Sequence, residues 1–250
     1  MLDGAAEPEV PLGGGRMTPG VVRVGATVRR PVSPASRFAA MLLSHLASVG
    51  FEGAPRYLGE DDVGREILTF VPGDVPAKWR AFADDQVAQA GILLRRMHDA
   101  SRDLAECLGG GDVVCHHDPG PNNTVFRDGL PAAFIDFDLA AVGDPLEDVG
   151  YVAWSWCISS KPARGLPTEQ ADQVRILADA YGLSVDQRRR LPTAIEDRFV
   201  RNERFWRKRA DQQQVSHAGP GASEVLAWTR QEAAHFASCR HAFAAALSSR

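Results

Sequence analysis

The chain has 250 residues, of which 44% are hydrophobic and 24% charged, a globular composition with room for one large domain or two small lobes. A net charge of −4 provides no overall basic field, which argues against nucleic acid as a partner. No apolar run approaches bilayer-spanning length, MLDGAAEPEV lacks the basic and apolar regions of a signal peptide, and Cys107, Cys115, Cys157 and Cys239 form no CxxC pair; a cytoplasmic protein with reduced thiols and no membrane partner is expected.

Strand signals dominate the first 70 residues. Two valine-rich runs, 21–24 and 27–32, flank Gly25-Ala26 and predict a tight hairpin. Phe38, Met41, Leu42, His45, Leu46 and Val49 then recur at helical spacing, with Gly50 as the stop. PRYLGEDDVGREILTFVPG reads as a second strand pair around an acidic turn. From about residue 79 the pattern becomes helical. FADDQVAQAGILLRRMHDAS places Val87, Ala90, Leu94 and Met97 on one apolar face. Further helices are expected over 169–182, 186–211 and 223–247, with Ser223 as N-cap of the last. The expected fold is α+β and two-lobed: a β-rich N-lobe over 1–72 with one helix, and a mainly helical C-lobe over 73–250.

Between the helical segments lies VVCHHDPGPNNTVF, residues 113–126, followed by the hairpin signal Asp128-Gly129 and then by PAAFID. Closing that hairpin would draw its two ends together, so Asp118, Asn123 and Asp136 could converge. A carboxylate–amide–carboxylate set of oxygen ligands suits Mg²⁺, which leaves room for phosphate oxygens. Taken alone, Asp118 and Asn123 also read as ordinary turn formers. A zinc site from Cys115, His116, His117 and Asp118 is disfavoured, because adjacent side chains rarely converge on one ion. Asp144-Pro145-Leu146-Glu147 has the form of a helix start resembling a capping box.

His116-x-Asp118-x-x-x-x-Asn123, followed by Asp136-Phe137-Asp138, has the order and spacing of the protein-kinase catalytic loop and metal motif. The fuller pattern, HHDPGPNN…FIDFDLAAVGDPLEDVGYVAW with LLRRMHDAS before it, resembles the aminoglycoside phosphotransferase and choline-kinase-like family of small-molecule kinases. The resemblance spans nearly the whole chain, with its specific motifs in residues 91–155. It implies a protein-kinase-like fold and ATP- and Mg²⁺-dependent phosphorylation of a small-molecule hydroxyl. Asp118 would position the attacking hydroxyl, and Asn123 and Asp136 would hold Mg²⁺. His116 would support the loop and Asp148 would brace it. Asp138 reads either as a further metal ligand or as structural.

The same resemblance assigns the nucleotide side. Gly13, Gly14 and Gly15 in LGGGRMTPG would cover the phosphates, although three glycines also make a plain surface turn. Backbone groups of Leu68, Thr69 and Phe70 would meet adenine. The position for a lysine carries Arg30, and Arg29 would point to the opposite face. No acidic residue lies between Pro31 and Phe51, so the helix glutamate that ordinarily pairs with this cation is absent or replaced. That departure favours a rival reading, a kinase fold that binds nucleotide or a partner without catalysis. On the acceptor side, residues 186–211 carry nine basic and five acidic residues, with Arg198, Arg201, Arg204 and Lys208 along one helix face. The face is either solvated or turned to the cleft, where it would select a neutral or anionic acceptor. Trp154, Trp156, Phe205, Trp206 and Trp228 would form either a stacking wall or core.

Overall fold

The computed structural model describes residues 7–13, 19–76, 80–211 and 221–248. Strands β1 (Glu9–Pro11), β2 (Val22–Val24), β3 (Thr27–Pro31), β4 (Tyr57–Glu60) and β5 (Arg65–Thr69) form an antiparallel sheet in the order β1-β2-β3-β5-β4. Gly25, at φ 56°, supplies the left-handed backbone of the β2–β3 hairpin. Helix α1 (Ser36–Ser48) buries Ala39, Leu42, Leu43 and Leu46. It ends in a Schellman-type turn, with the Phe51 N–H donating to Leu46 O at 2.9 Å across Gly50, φ 77°.

The connection to the second lobe is docked on that lobe. Asp74 exchanges two backbone hydrogen bonds with Phe126, at 3.0 and 2.7 Å, and Gly73 (φ 140°) lies so close to the Phe126 carbonyl that a side chain would collide with it. Phe126 belongs to a hairpin of β7 (Thr124–Arg127) and β8 (Leu130–Phe134). Its two-residue turn, Asp128 (φ 50°) and Gly129 (φ 79°), has both residues left-handed, as a type I′ turn requires. A second short pair joins β6 (Val113–Cys115) to β9 (Ala141–Gly143).

Around these ribbons pack helices α2 (Asp84–Leu108), α3 (Leu146–Val152), α4 (Pro167–Tyr181), α5 (Val185–Asp211) and α6 (Ala222–Ser248). The periodic face read from the sequence forms the core of α2: Val87, Ala90, Leu94 and Met97 are all buried. Each large side chain of this kind contributes roughly 1.5–3 kcal/mol by leaving water. Helix α3 continues into a π-turn at Ala153–Cys157. Helix α6 starts earlier than the sequence suggested. Ser223 lies inside its first turn, and Gly221 O accepts the Glu224 and Val225 N–H groups in the capping position. Among the described residues no helix is long and apolar enough to cross a membrane.

Gly150 sits where α3 crosses α5, and a Cβ there would lie 2.9 Å from the Ala194 carbonyl oxygen. Gly150→Ala is expected to cost about 1–3 kcal/mol through overpacking, seen as a lower urea midpoint with an unchanged slope.

Candidate active site

Strand β6, buried along its whole length, delivers the chain into the His116–Asn123 loop. The loop is held from beneath by α3. Asp148 Oδ2 accepts the His116 N–H at 2.6 Å, Oδ1 accepts the His117 N–H at 2.7 Å, and His98 Nε2 of α2 donates to Oδ2 at 3.0 Å. His98 is itself placed by the Tyr181 hydroxyl, 2.7 Å from Nδ1. Burial pushes the Asp148 carboxyl up, but the His98 hydrogen bond and the neighbouring His98, His117 and His116 outweigh it and hold the group at about 2.

The two histidines do different work. His116 Nδ1 accepts the Asp118 N–H at 3.3 Å while Nε2 donates to Ile135 O at 3.0 Å, tying the loop to the segment before Asp136. His117, at φ 63°, spends both ring nitrogens, one on Leu139 O at 3.0 Å and one on Glu147 Oε2 at 2.8 Å. Burial opposes protonation of His117, yet the Glu147 bond prevails and raises its pKa. Glu147 also pairs with Arg201 of α5; the His117 bond, with Arg201, holds its carboxyl at about 2 against burial. Glu147 therefore reaches the loop and α5 rather than closing a capping box. Asp144 alone has the capping geometry, accepting the Leu146 N–H at 2.9 Å.

Asp118 is fixed at both carboxylate oxygens. Oδ2 accepts Asn123 Nδ2 at 2.8 Å, and Oδ1 accepts the hydroxyl of Tyr151. Burial and the Asp118 charge push Tyr151 well above its ordinary value, so it remains a neutral donor. The Arg198 guanidinium lies 4.2 Å from the centre of the Tyr151 ring, and Trp156 Nε1 supports the loop by donating to Pro119 O at 3.1 Å. Tyr151 was missed in the sequence. Its signal was position, because it stands three residues after Asp148 and so shares a face of α3 with it.

Facing the loop across the cleft is Arg30, buried on β3. Its Nε donates to Glu66 Oε2 at 2.7 Å, Nη2 is 2.6 Å from Asp138 and Nη1 is 3.7 Å from Asp136. Asp136 has a left-handed backbone, φ 67°, a conformation whose cost of about 1–3 kcal/mol is found mainly at functional sites. The acid missing from the helix comes from β5: Glu66 is the direct register partner of Arg30, and the Ser36 hydroxyl of α1 donates to the same Glu66 oxygen at 2.8 Å. Arg29 points the other way, toward Asp61 at 3.8 Å.

One guanidinium faces three carboxylates here, so the site carries excess negative charge. The Asn123 backbone carbonyl accepts the N–H of Ile135, the residue before Asp136, at 2.9 Å, and this oxygen-rich set has the chemistry of a hard divalent cation site. His98, Cys115 and Asp148 also cluster, but within the core. There the Asp148 oxygens are taken by N–H donors, and burial keeps the Cys115 thiol protonated as it donates to Asp144 O at 3.3 Å.

Gly13 is exposed with open space around it, whereas Gly14 and Gly15 lie outside the described residues. Leu68 is buried in β5. The Thr69 N–H donates to Arg56 O at 2.9 Å and the Phe70 N–H to Ala26 O at 2.8 Å, so these two donors are committed within the lobe. Of the aromatic residues, Trp154 and Trp156 are core, and Trp154 stacks on Trp228 at 5.0 Å between centroids.

The family model described as "Phosphotransferase enzyme family" matches residues 101–192, the stretch that holds this loop. The trifolitoxin immunity protein of Rhizobium leguminosarum bv. trifolii is 36% identical over 204 residues, covering 70% of this chain and 74% of that protein. Among solved structures, a putative aminoglycoside phosphotransferase from Ralstonia eutropha JMP134 superposes with a TM-score of 0.63 at 17% identity, covering 96% of this chain and 94% of that one. A choline/ethanolamine kinase family protein from Mesorhizobium loti gives 0.60 at 16%, covering 98% and 94%. These likenesses give the fold as protein-kinase-like, an α+β architecture.

The depressed Asp148 carboxyl predicts an acid transition. Its contribution, roughly 2 kcal/mol, is complete above the unfolded value of 3.8 and is lost as pH falls through about 2. Urea unfolding measured between pH 5 and pH 2 should show this component in the wild type and lack it in Asp148→Asn.

Proposed function

This chain belongs to the phosphotransferase enzyme family, and from that premise we propose that it transfers the γ-phosphoryl group of ATP to a hydroxyl of a small molecule. The observation that carries the reading is the Asp118 carboxylate, held at one oxygen by Asn123 and at the other by Tyr151. A carboxylate fixed in this way can orient the acceptor hydroxyl and take its proton as the O–P bond forms. The Arg30 fork supplies charge to the phosphates. Asn123 and Asp136, with Asp138 beside them, would hold Mg²⁺, which neutralises charge on the phosphates when bound. Asp148, His116 and His98 act only on the loop that presents Asp118.

Two features bear on the acceptor. Arg198 stacks against the tyrosine that holds Asp118, so positive charge lies beside the place of transfer and favours a neutral or anionic acceptor over a polyamine. The relative named for immunity to trifolitoxin supports an acceptor among toxic compounds that phosphorylation would disarm. A second reading, protection by binding without transfer, draws on arginine in place of lysine at position 30, since the two are not equivalent.

The test is ADP formation from ATP, with Mg²⁺ or with chelator, in the presence of hydroxyl-bearing antibacterial compounds of different charge. Transfer should require the metal and should fall about 10²–10⁴-fold in Asp118→Asn while nucleotide affinity is retained. Equal turnover by that variant would sink the catalytic assignment. Nucleotide binding with no transfer to any acceptor would favour the second reading.

A further inference from the structure

We propose that Glu66 is the positioning residue of Arg30, and that this strand-to-strand pair, rather than a strand-to-helix pair, presents the cation to nucleotide phosphate. The proposal rests on the phosphotransferase reading and names the device by which the N-lobe would serve it.

The geometry divides the guanidinium into two ends. Nε is anchored on Glu66 at 2.7 Å, while Nη1 and Nη2 project across the cleft toward Asp136 and Asp138. Anchoring Nε fixes the plane of the group and leaves a two-pronged donor edge, the edge that matches two phosphate oxygens. That edge faces the two carboxylates as ion-pair partners, while the group's hydrogen bond is the one from Nε to Glu66. When a nucleotide is present, its oxygens take the two Nη groups, and Asp136 and Asp138 are released to face a cation.

The anchor is itself held. Glu66 is 2% exposed, stands opposite Arg30 in the β3–β5 register, and accepts a second hydrogen bond from Ser36 at 2.8 Å. Ser36 Oγ also accepts the Ser33 N–H at 2.9 Å, so the start of α1 is locked to the same point. Taking this ion pair out of water is costly unless each charge is matched, and Arg30 and Ser36 are the donors that match the Glu66 carboxylate. In kinases that take this acid from a helix, helix position controls the pair. Here both charges sit on hydrogen-bonded neighbouring strands, so the pair is assembled when the sheet folds.

The decisive measurement is calorimetric titration of the full chain with the β,γ-imido analogue of ATP and Mg²⁺, on the wild type, Glu66→Gln, Arg30→Gln and the double variant. Each single variant should bind at least roughly tenfold more weakly, and the double no more weakly than Arg30→Gln alone, because Glu66 acts only through Arg30. Glu66→Asp, which keeps the charge but withdraws it from Nε, should also weaken binding when titrated at a temperature below its own unfolding transition. It provides the test if Glu66→Gln fails to fold. Wild-type affinity in the Glu66 variants, or losses that add in the double variant, would overturn the proposal alone. A wild type that does not bind the analogue would overturn the phosphotransferase reading and this proposal with it.

Discussion

Everything at the site depends on how one buried carboxylate is spent. Asp148 has no water to solvate it and instead accepts two successive backbone N–H groups of the loop and one imidazole N–H. Backbone donors at a sharp loop would otherwise be stranded, at a cost of about 1–3 kcal/mol each. The carboxylate removes that cost and the loop neutralises the charge, so neither is stable alone. The left-handed His117 lies at the same place and is held by this arrangement. Asp118 can then stand at the cleft with its direction set by neighbours rather than by solvent.

The opposite wall works by imbalance. Arg30 meets more negative charge than it can cancel, and it is buried with Glu66 while Asp136 is exposed. Such an excess of negative charge draws a cation. The imbalance also gives Arg30 two kinds of partner, one permanent and one exchangeable, and a lysine ammonium could not serve both at these separations.

Much of the scaffold was legible in the sequence because it follows local rules. The β2–β3 hairpin follows from Gly25, α2 from its apolar period, and the β7–β8 turn from Asp128-Gly129. The loop motif was legible by spacing, and the structure brings Asp118 and Asn123 into contact and sets Asp136 beside Arg30. The illegible parts depend on register and packing between distant segments. Glu66 is 36 residues from Arg30, and only the pairing of β3 with β5 makes them neighbours. Tyr151 could have been one more core aromatic until α3 was placed against the loop. Glu147 satisfied a local rule for helix starts, yet its side chain was claimed by His117 and Arg201. The commitment of the Thr69 and Phe70 N–H groups depended on the sheet's own edges, which no single segment reveals.

The docking of the connection between the lobes bears on how the cleft behaves. Phe70 is bonded to the sheet through Ala26, Gly73 and Asp74 lie on the β7–β8 hairpin, and Arg127 Nε donates to Pro72 O at 3.2 Å. Only Val71 and Pro72 separate the two anchorages, and proline has a fixed φ. So short a strap has few torsions with which to swing. The placement of Arg30 opposite the Asp118 loop therefore depends on this strap as much as on the side chains themselves, because the strap carries the backbone hydrogen bonds that tie one lobe to the other.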